Sequence, residues 1–101
     1  MPYKFQFLDE AKLEYEGIIQ YLIDASEGIQ AAQSFIDEFN KQVQLIRENP
    51  KLFNLSRLPD LAALNYRSMF INNYVVLYFF RDETIFIAHL FHQRQDYARF
   101  V

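Results

Sequence analysis

Two neighbouring runs, residues 74–80 and 84–92, are apolar at both parities, and no other feature constrains the fold as much. In the first, Tyr74, Val76 and Tyr78 oppose Val75, Leu77 and Phe79; in the second, Ile85 and Ile87 oppose Phe86, Ala88 and Leu90. A sheet with one solvated face alternates apolar with polar residues, so strands of this composition need cover on both faces. Asn72-Asn73 reads as a two-residue hairpin turn before the first run, since Asn tolerates positive φ, and Arg81-Asp82-Glu83 turns into the second. A further strand is expected over 64–71. It would carry Leu64, Tyr66 and Phe70 on one face and Asn65, Arg67, Met69 and Ile71 on the other.

The N-terminal half supplies cover for one face. Tyr3, Phe5 and Phe7 alternate with Lys4 and Gln6, the period of a half-buried strand. The period then changes. Leu8, Ala11, Tyr15, Ile18, Ile19, Leu22 and Ala25 form one helical stripe, with Asp9, Glu10, Glu14, Glu16 and Asp24 off it, which predicts a helix over 9–25. Acidic residues in its first turn suit the positive end of the helix dipole. Ser26-Glu27-Gly28 is a break, and Ile29, Ala32, Phe35, Ile36, Phe39, Val43 and Ile46 mark a second stripe. That helix must stop near Asn49, because Pro50 disfavours helical geometry in the residue before it. The short break implies an antiparallel helical hairpin. Residues 51–59 read as a loop and 93–101 as a short tail. The expected fold is α+β, in the order β-α-α-β-β-β, with a curved, mainly antiparallel four-stranded sheet carrying the hairpin on one face. No cover for the second face is visible in the pattern. A partner chain or second copy is expected there, with a strongly curved sheet that buries its own concave face as the alternative.

The chain of 101 residues is one domain by length and is 51% hydrophobic, ample for a core. Eleven Phe and seven Tyr are a heavy load for so small a fold, and rings left outside would mark a partner surface. With no Cys, disulfides, thiolate zinc sites and Cys nucleophiles are excluded. Met1-Pro2-Tyr3-Lys4 leads straight into a strand, so no signal peptide is expected. The apolar run at 74–80 is far short of the roughly 20 residues of a membrane span, so a cytoplasmic protein without a membrane partner is expected. The net charge of −3 and a pI near 5.3 fit poorly with a protein that grips nucleic acid over a broad surface. A local basic patch stays open, since Arg57, Arg67, Arg81, Arg94 and Arg99 lie in the second half.

Arg67, His89, His92, Arg94, Asp96 and Tyr97 are the side chains able to do chemistry. The two His are three apart with no third ligand at a recognised spacing, so neither a metal nor a cofactor is expected. A His inside an apolar strand is more often structural; His92, at the strand end beside Arg94, is the better functional candidate. Arg94 and Asp96 can simply pair across a turn. There is no Gly-rich phosphate loop, no Ser nucleophile motif and no pair of catalytic carboxylates.

The order of these parts resembles the RelE/ParE superfamily of bacterial type II toxins: Asn65-Tyr66-Arg67, Tyr74-Val75-Val76-Leu77-Tyr78, then a strand ending in His92-Gln93-Arg94-Gln95-Asp96-Tyr97. The resemblance covers nearly the whole chain and implies a toxin held in check by an antitoxin. RelE-like members cleave messenger RNA on the ribosome without a metal, using basic residues on the first strand of this hairpin, an Arg just after the aromatic that opens its second strand, and further groups after the last strand. Arg67 and Arg94 match two of these positions. Met69 and Val75 fall where basic residues would stand, and the terminal aromatic role passes to Tyr97 or Phe100. Tyr74-Val75-Val76-Leu77-Tyr78 instead resembles the ParE branch, as do Ala31-Ala32, Glu48-Asn49-Pro50 and Leu90-Phe91-His92-Gln93.

ParE-type toxins poison DNA gyrase by binding and are not hydrolases. The resemblance therefore implies a plasmid-stabilisation toxin causing growth arrest, with DNA gyrase and a cognate antitoxin as partners. Arg67, His92, Arg94 and Tyr97 would be its target-binding residues. A homodimer and a hetero-oligomer with the antitoxin are both open. Two alternatives stand beside this reading. One is a ribosome-dependent endoribonuclease in which Arg67, His92, Arg94 and Tyr97 are catalytic. The other is a non-toxic, partner-binding member of the same fold.

Overall fold

The computed structural model describes residues 2–26 and 28–94. Its elements are β1 (Lys4–Phe7), α1 (Asp9–Asp24), α2 (Gly28–Glu48), α3 (Pro59–Ala63), β2 (Arg67–Ile71), β3 (Tyr74–Arg81) and β4 (Thr84–His92). The four strands form one sheet in the order β1-β4-β3-β2. β1 runs parallel to β4, with Phe5 opposite Ile85 and Phe7 opposite Ile87. The β2–β3 and β3–β4 pairs are antiparallel. The α+β architecture and the order of strands and long helices are those expected from the sequence, with α3 as an addition.

Each long helix forms for the reason its stripe gives. In α1, Ala11 is fully buried while Tyr15, Ile18, Ile19 and Leu22 pack against the same core. Asp9 and Glu10 occupy its first turn, worth about 0.3–1 kcal/mol each against the dipole. In α2, Ala32, Phe35, Phe39, Val43 and Ile46 are buried. Gly28, which opens it, sits at φ 61°, a left-handed conformation in which any Cβ is strained. Asn49 Oδ1 accepts the Lys51 N–H at the far end, next to Pro50.

The main core lies between this hairpin and one sheet face. Tyr74, Val76 and Tyr78 of β3 share it with Met69 and Ile71 of β2 and with Ile85, Ile87 and Leu90 of β4. The register gives the reason for the parity change in β4. Leu77 pairs with His89 but Tyr78 with Ile87, so Ala88 is an inserted bulge residue that shifts the inward positions from odd to even. An aromatic stack of Phe7, Tyr15, Phe35 and Phe39 fills the centre, with Phe7 and Phe39 nearly parallel at 5.7 Å. The Tyr78 hydroxyl, in the same core, donates to the Pro50 carbonyl at 2.9 Å.

Two expectations are corrected. The strand expected over 64–71 begins only at Arg67, because Leu64 and Asn65 belong to the exit of α3, a helix the periodicity did not reveal. Asn65 adopts φ 65°, its N–H donates to Ala62 O at 2.9 Å, and the Tyr66 N–H reaches back to Leu61 O at 3.1 Å. This nested pair is a Schellman motif with Asn at the left-handed position. The second sheet face also has cover within the chain. Leu61 of α3, with Leu58 and Tyr66, packs on Val75, Leu77 and Phe91 as a second, smaller core. No partner chain is needed to account for the apolar outer positions of β3.

Candidate functional site

His92 closes β4 opposite Tyr74, the first residue of β3, and the two rings meet edge to face at 5.4 Å. The Arg94 N–H donates to His92 Nδ1 at 3.1 Å, which leaves Nε2 as the protonated nitrogen of the neutral ring. The Gln93 N–H donates to Asn73 O at 2.9 Å, tying the strand end to the β2–β3 turn. His92 and Arg94 therefore stand together at one end of the sheet, next to the Asn72-Asn73 turn. Asn72 there has φ 55°, the left-handed value expected of it.

This end carries two clefts that share a wall. One, of about 760 Å³, lies between the helical hairpin and the turn and is lined by Tyr21, Gln30, Ser34, Asn72, Tyr74 and His92. The other, of about 410 Å³, runs along α1 past Glu14, Gly17 and Ile18 to Leu90 and His92. Tyr21, Tyr74 and His92 line both. A Cβ at Gly17 would meet nothing within 4 Å, so the surface there is open. Burial, with a smaller contribution from Tyr21, raises the Tyr74 pKa above the usual phenol value. Tyr21 is 66% exposed. Its signal in the sequence is an aromatic residue lying off the core stripe of α1.

Arg67 is elsewhere. It pairs with Tyr78, whereas His92 pairs with Tyr74, four residues earlier on the intervening strand. That separation is about 13 Å along β3, with the width of two strand spacings added across the sheet. The Arg67 guanidinium donates to Phe53 O at 2.8 Å and lies 5.7 Å from the Phe80 ring centroid. The structure thus brings His92 and Arg94 together and sets Arg67 apart. Tyr97, Asp96 and Phe100 fall outside the described residues. Met69 and Val75, at the positions where basic groups would stand, are both fully buried: Met69 in the main core and Val75 under Leu61.

His89 is a buried side chain of β4, its ring stacked on Phe91 at 5.4 Å. Its Nδ1 lies 3.4 Å from Glu14 and 3.8 Å from Glu10, near enough for an ion pair but without hydrogen-bond alignment. Glu14 instead accepts the Leu90 N–H at 3.0 Å, covering the edge of β4 beyond the end of β1. Among the described residues no three His, Asp or Glu side chains are grouped as a metal site, and no helix is long and apolar enough to cross a membrane.

The order of strands and helices defines the class: an α+β RelE/ParE-like fold. A chain of the chromosomal ParDE toxin–antitoxin system from P. aeruginosa shares it, with a TM-score of 0.68 over 89% of this chain and 95% of that one, at 12% identity. At such identity the likeness shows the fold alone. No curated protein matches in sequence. The profile of the ParE toxins of type II toxin–antitoxin systems (parDE) matches residues 5–97, and the chain belongs to that family.

Proposed function

We propose that this ParE-family chain inhibits DNA gyrase by binding it, and that a cognate antitoxin relieves the inhibition. His92 and Arg94, with Tyr97 following in sequence, form the target-binding end, beside the clefts lined by Tyr21 and Tyr74. A gyrase-binding role requires a cytoplasmic chain.

The observation that carries binding over RNA cleavage is the distance between Arg67 and His92. Metal-free cleavage needs a base, a cation and an acid within hydrogen-bond reach of a single phosphate. Here Arg67 and His92 pair with residues four apart on β3, Tyr78 and Tyr74, from opposite sides of that strand, and Arg67 is held by Phe53 O. Val75 lies under α3 and offers no cation where one would be required. The acidic pI weighs the same way.

Expression in cells carrying a reporter plasmid tests the proposal. Growth should stop while the plasmid loses negative supercoiling and bulk messenger RNA stays intact, and co-expressed antitoxin should restore both growth and topology. Fragmented messenger RNA with unchanged topology would replace this reading with the endoribonuclease. Unimpaired growth would leave the non-toxic, partner-binding member.

A further inference from the structure

At the end of the sheet away from His92, a cleft of about 550 Å³ is lined by Leu55, Leu64, Tyr66, Arg67, Phe79 and Arg81, among others. Its lining has two guanidinium groups and no carboxylate. Arg81 is exposed and lies 5.9 Å from the ring centroids of both Phe79 and Phe86, which are themselves stacked at 5.1 Å. Arg67 is steadied by Phe53 O and the Phe80 ring. Among the described residues neither arginine is in a salt bridge. Leu64 and Leu55 on the rim are 60% and 42% exposed. Cations laid on aromatic rings are ordered in advance and lose little freedom when they meet an anion.

We propose that this cleft receives a segment of the antitoxin in which a carboxylate side chain is flanked by apolar ones. The carboxylate meets Arg81 and Arg67, and the apolar neighbours cover Leu55 and Leu64. The inference rests on the family reading, in which the partner is an antitoxin, and adds the surface and the chemistry by which it is held. Charge complementarity selects this occupant. A polyphosphate would be repelled by the net charge of −3 and by Asp82 and Glu83 in the adjoining turn. The segment docks by its side chains and adds no strand here, because the outer edge of β2 is already engaged. The Ser68 N–H donates to Asn54 O at 3.2 Å, and the Ser56 N–H donates to Tyr66 O at 2.8 Å.

Calorimetric titration of the purified chain with its cognate antitoxin tests this, with each variant also assayed for gyrase inhibition and for folding by circular dichroism. Arg81→Glu should weaken antitoxin binding at least about 30-fold and Leu64→Asp at least about 10-fold, while Arg81→Lys stays within about fivefold. All three should remain folded, and gyrase inhibition should survive because the target-binding end is untouched. Antitoxin binding at wild-type strength by both Arg81→Glu and Leu64→Asp would overturn the inference and leave the family reading standing. Failure of the antitoxin to bind the wild-type chain would overturn both. Binding of a 12-nucleotide oligothymidylate by the wild type, lost in Arg81→Glu, would reassign the cleft to nucleic acid and also overturn the proposal.

Discussion

The Tyr78 hydroxyl is fully buried and donates to Pro50 O, joining the centre of the sheet to the end of α2. Burial pushes its pKa up to about 12, against smaller lowering effects from the Phe53 backbone and the Arg67 charge. The sign follows from the neutral form being the one the fold favours. Below the ordinary tyrosine pKa near 10, folded and unfolded chains are both protonated and the full stability is present. From about pH 10 to 12 the unfolded chain sheds this proton while the native state keeps it, so stability falls with rising pH by on the order of 1 kcal/mol per unit. Tyr15 and Tyr74 are raised by burial and push the same way. Urea midpoints should therefore drop steeply above pH 10. Tyr78→Phe should cost about 1–2 kcal/mol at pH 8, from the buried carbonyl left without its donor, and should show a shallower alkaline loss. Equal alkaline slopes in both proteins would show that Tyr78 is not the group responsible. Glu14 offers a second test of a single contact. Glu14→Leu strands the Leu90 N–H at the β4 edge and should cost about 1–3 kcal/mol, whereas Glu14→Gln keeps an acceptor and should cost less. Chemical denaturation of the pair separates the acceptor from the charge.

α3 is the element that completes the fold, and it was the one least legible in the sequence. The two long helices each present four or more stripe positions, and β1 alternates cleanly, so their periods were unambiguous. Five residues of α3 complete little more than one turn, too few for a period, and Leu64 and Tyr66 happen to alternate like a strand. The signals that were present are local: Pro59 at the first helical position and Asn65 at the left-handed exit. Missing α3 left the apolar outer face of β3 without visible cover and led to an expected partner chain. The doubled parity of β3 was a sound sign that both faces are buried, but it could not say by what. Leu61→Ala removes the centre of that cover and should destabilise the chain by about 2–5 kcal/mol, read by thermal or urea unfolding. A cost below 1 kcal/mol would mean that α3 lies loosely on the sheet.

For the whole molecule, the strand arrangement decides what the candidate residues can do together. Arg67, His92 and Arg94 were identifiable by residue type and place in the sequence, and the pairing of His92 with Arg94 followed from their spacing. The distance of Arg67 from them did not, because it depends on which residues of β3 each strand end faces. The same register gives the chain two distinct ends: one with His92, Arg94, Tyr21 and Tyr74, the other with Arg67, Arg81 and exposed leucines. In this account the first end meets gyrase and the second the antitoxin. The most direct test is a gyrase assay with purified protein, following supercoiling of relaxed plasmid and trapped cleaved DNA for wild type, Arg94→Ala and Arg67→Ala. The account predicts inhibition by wild type and Arg67→Ala and its loss in Arg94→Ala. Wild-type protein without effect on gyrase at micromolar concentration would contradict it.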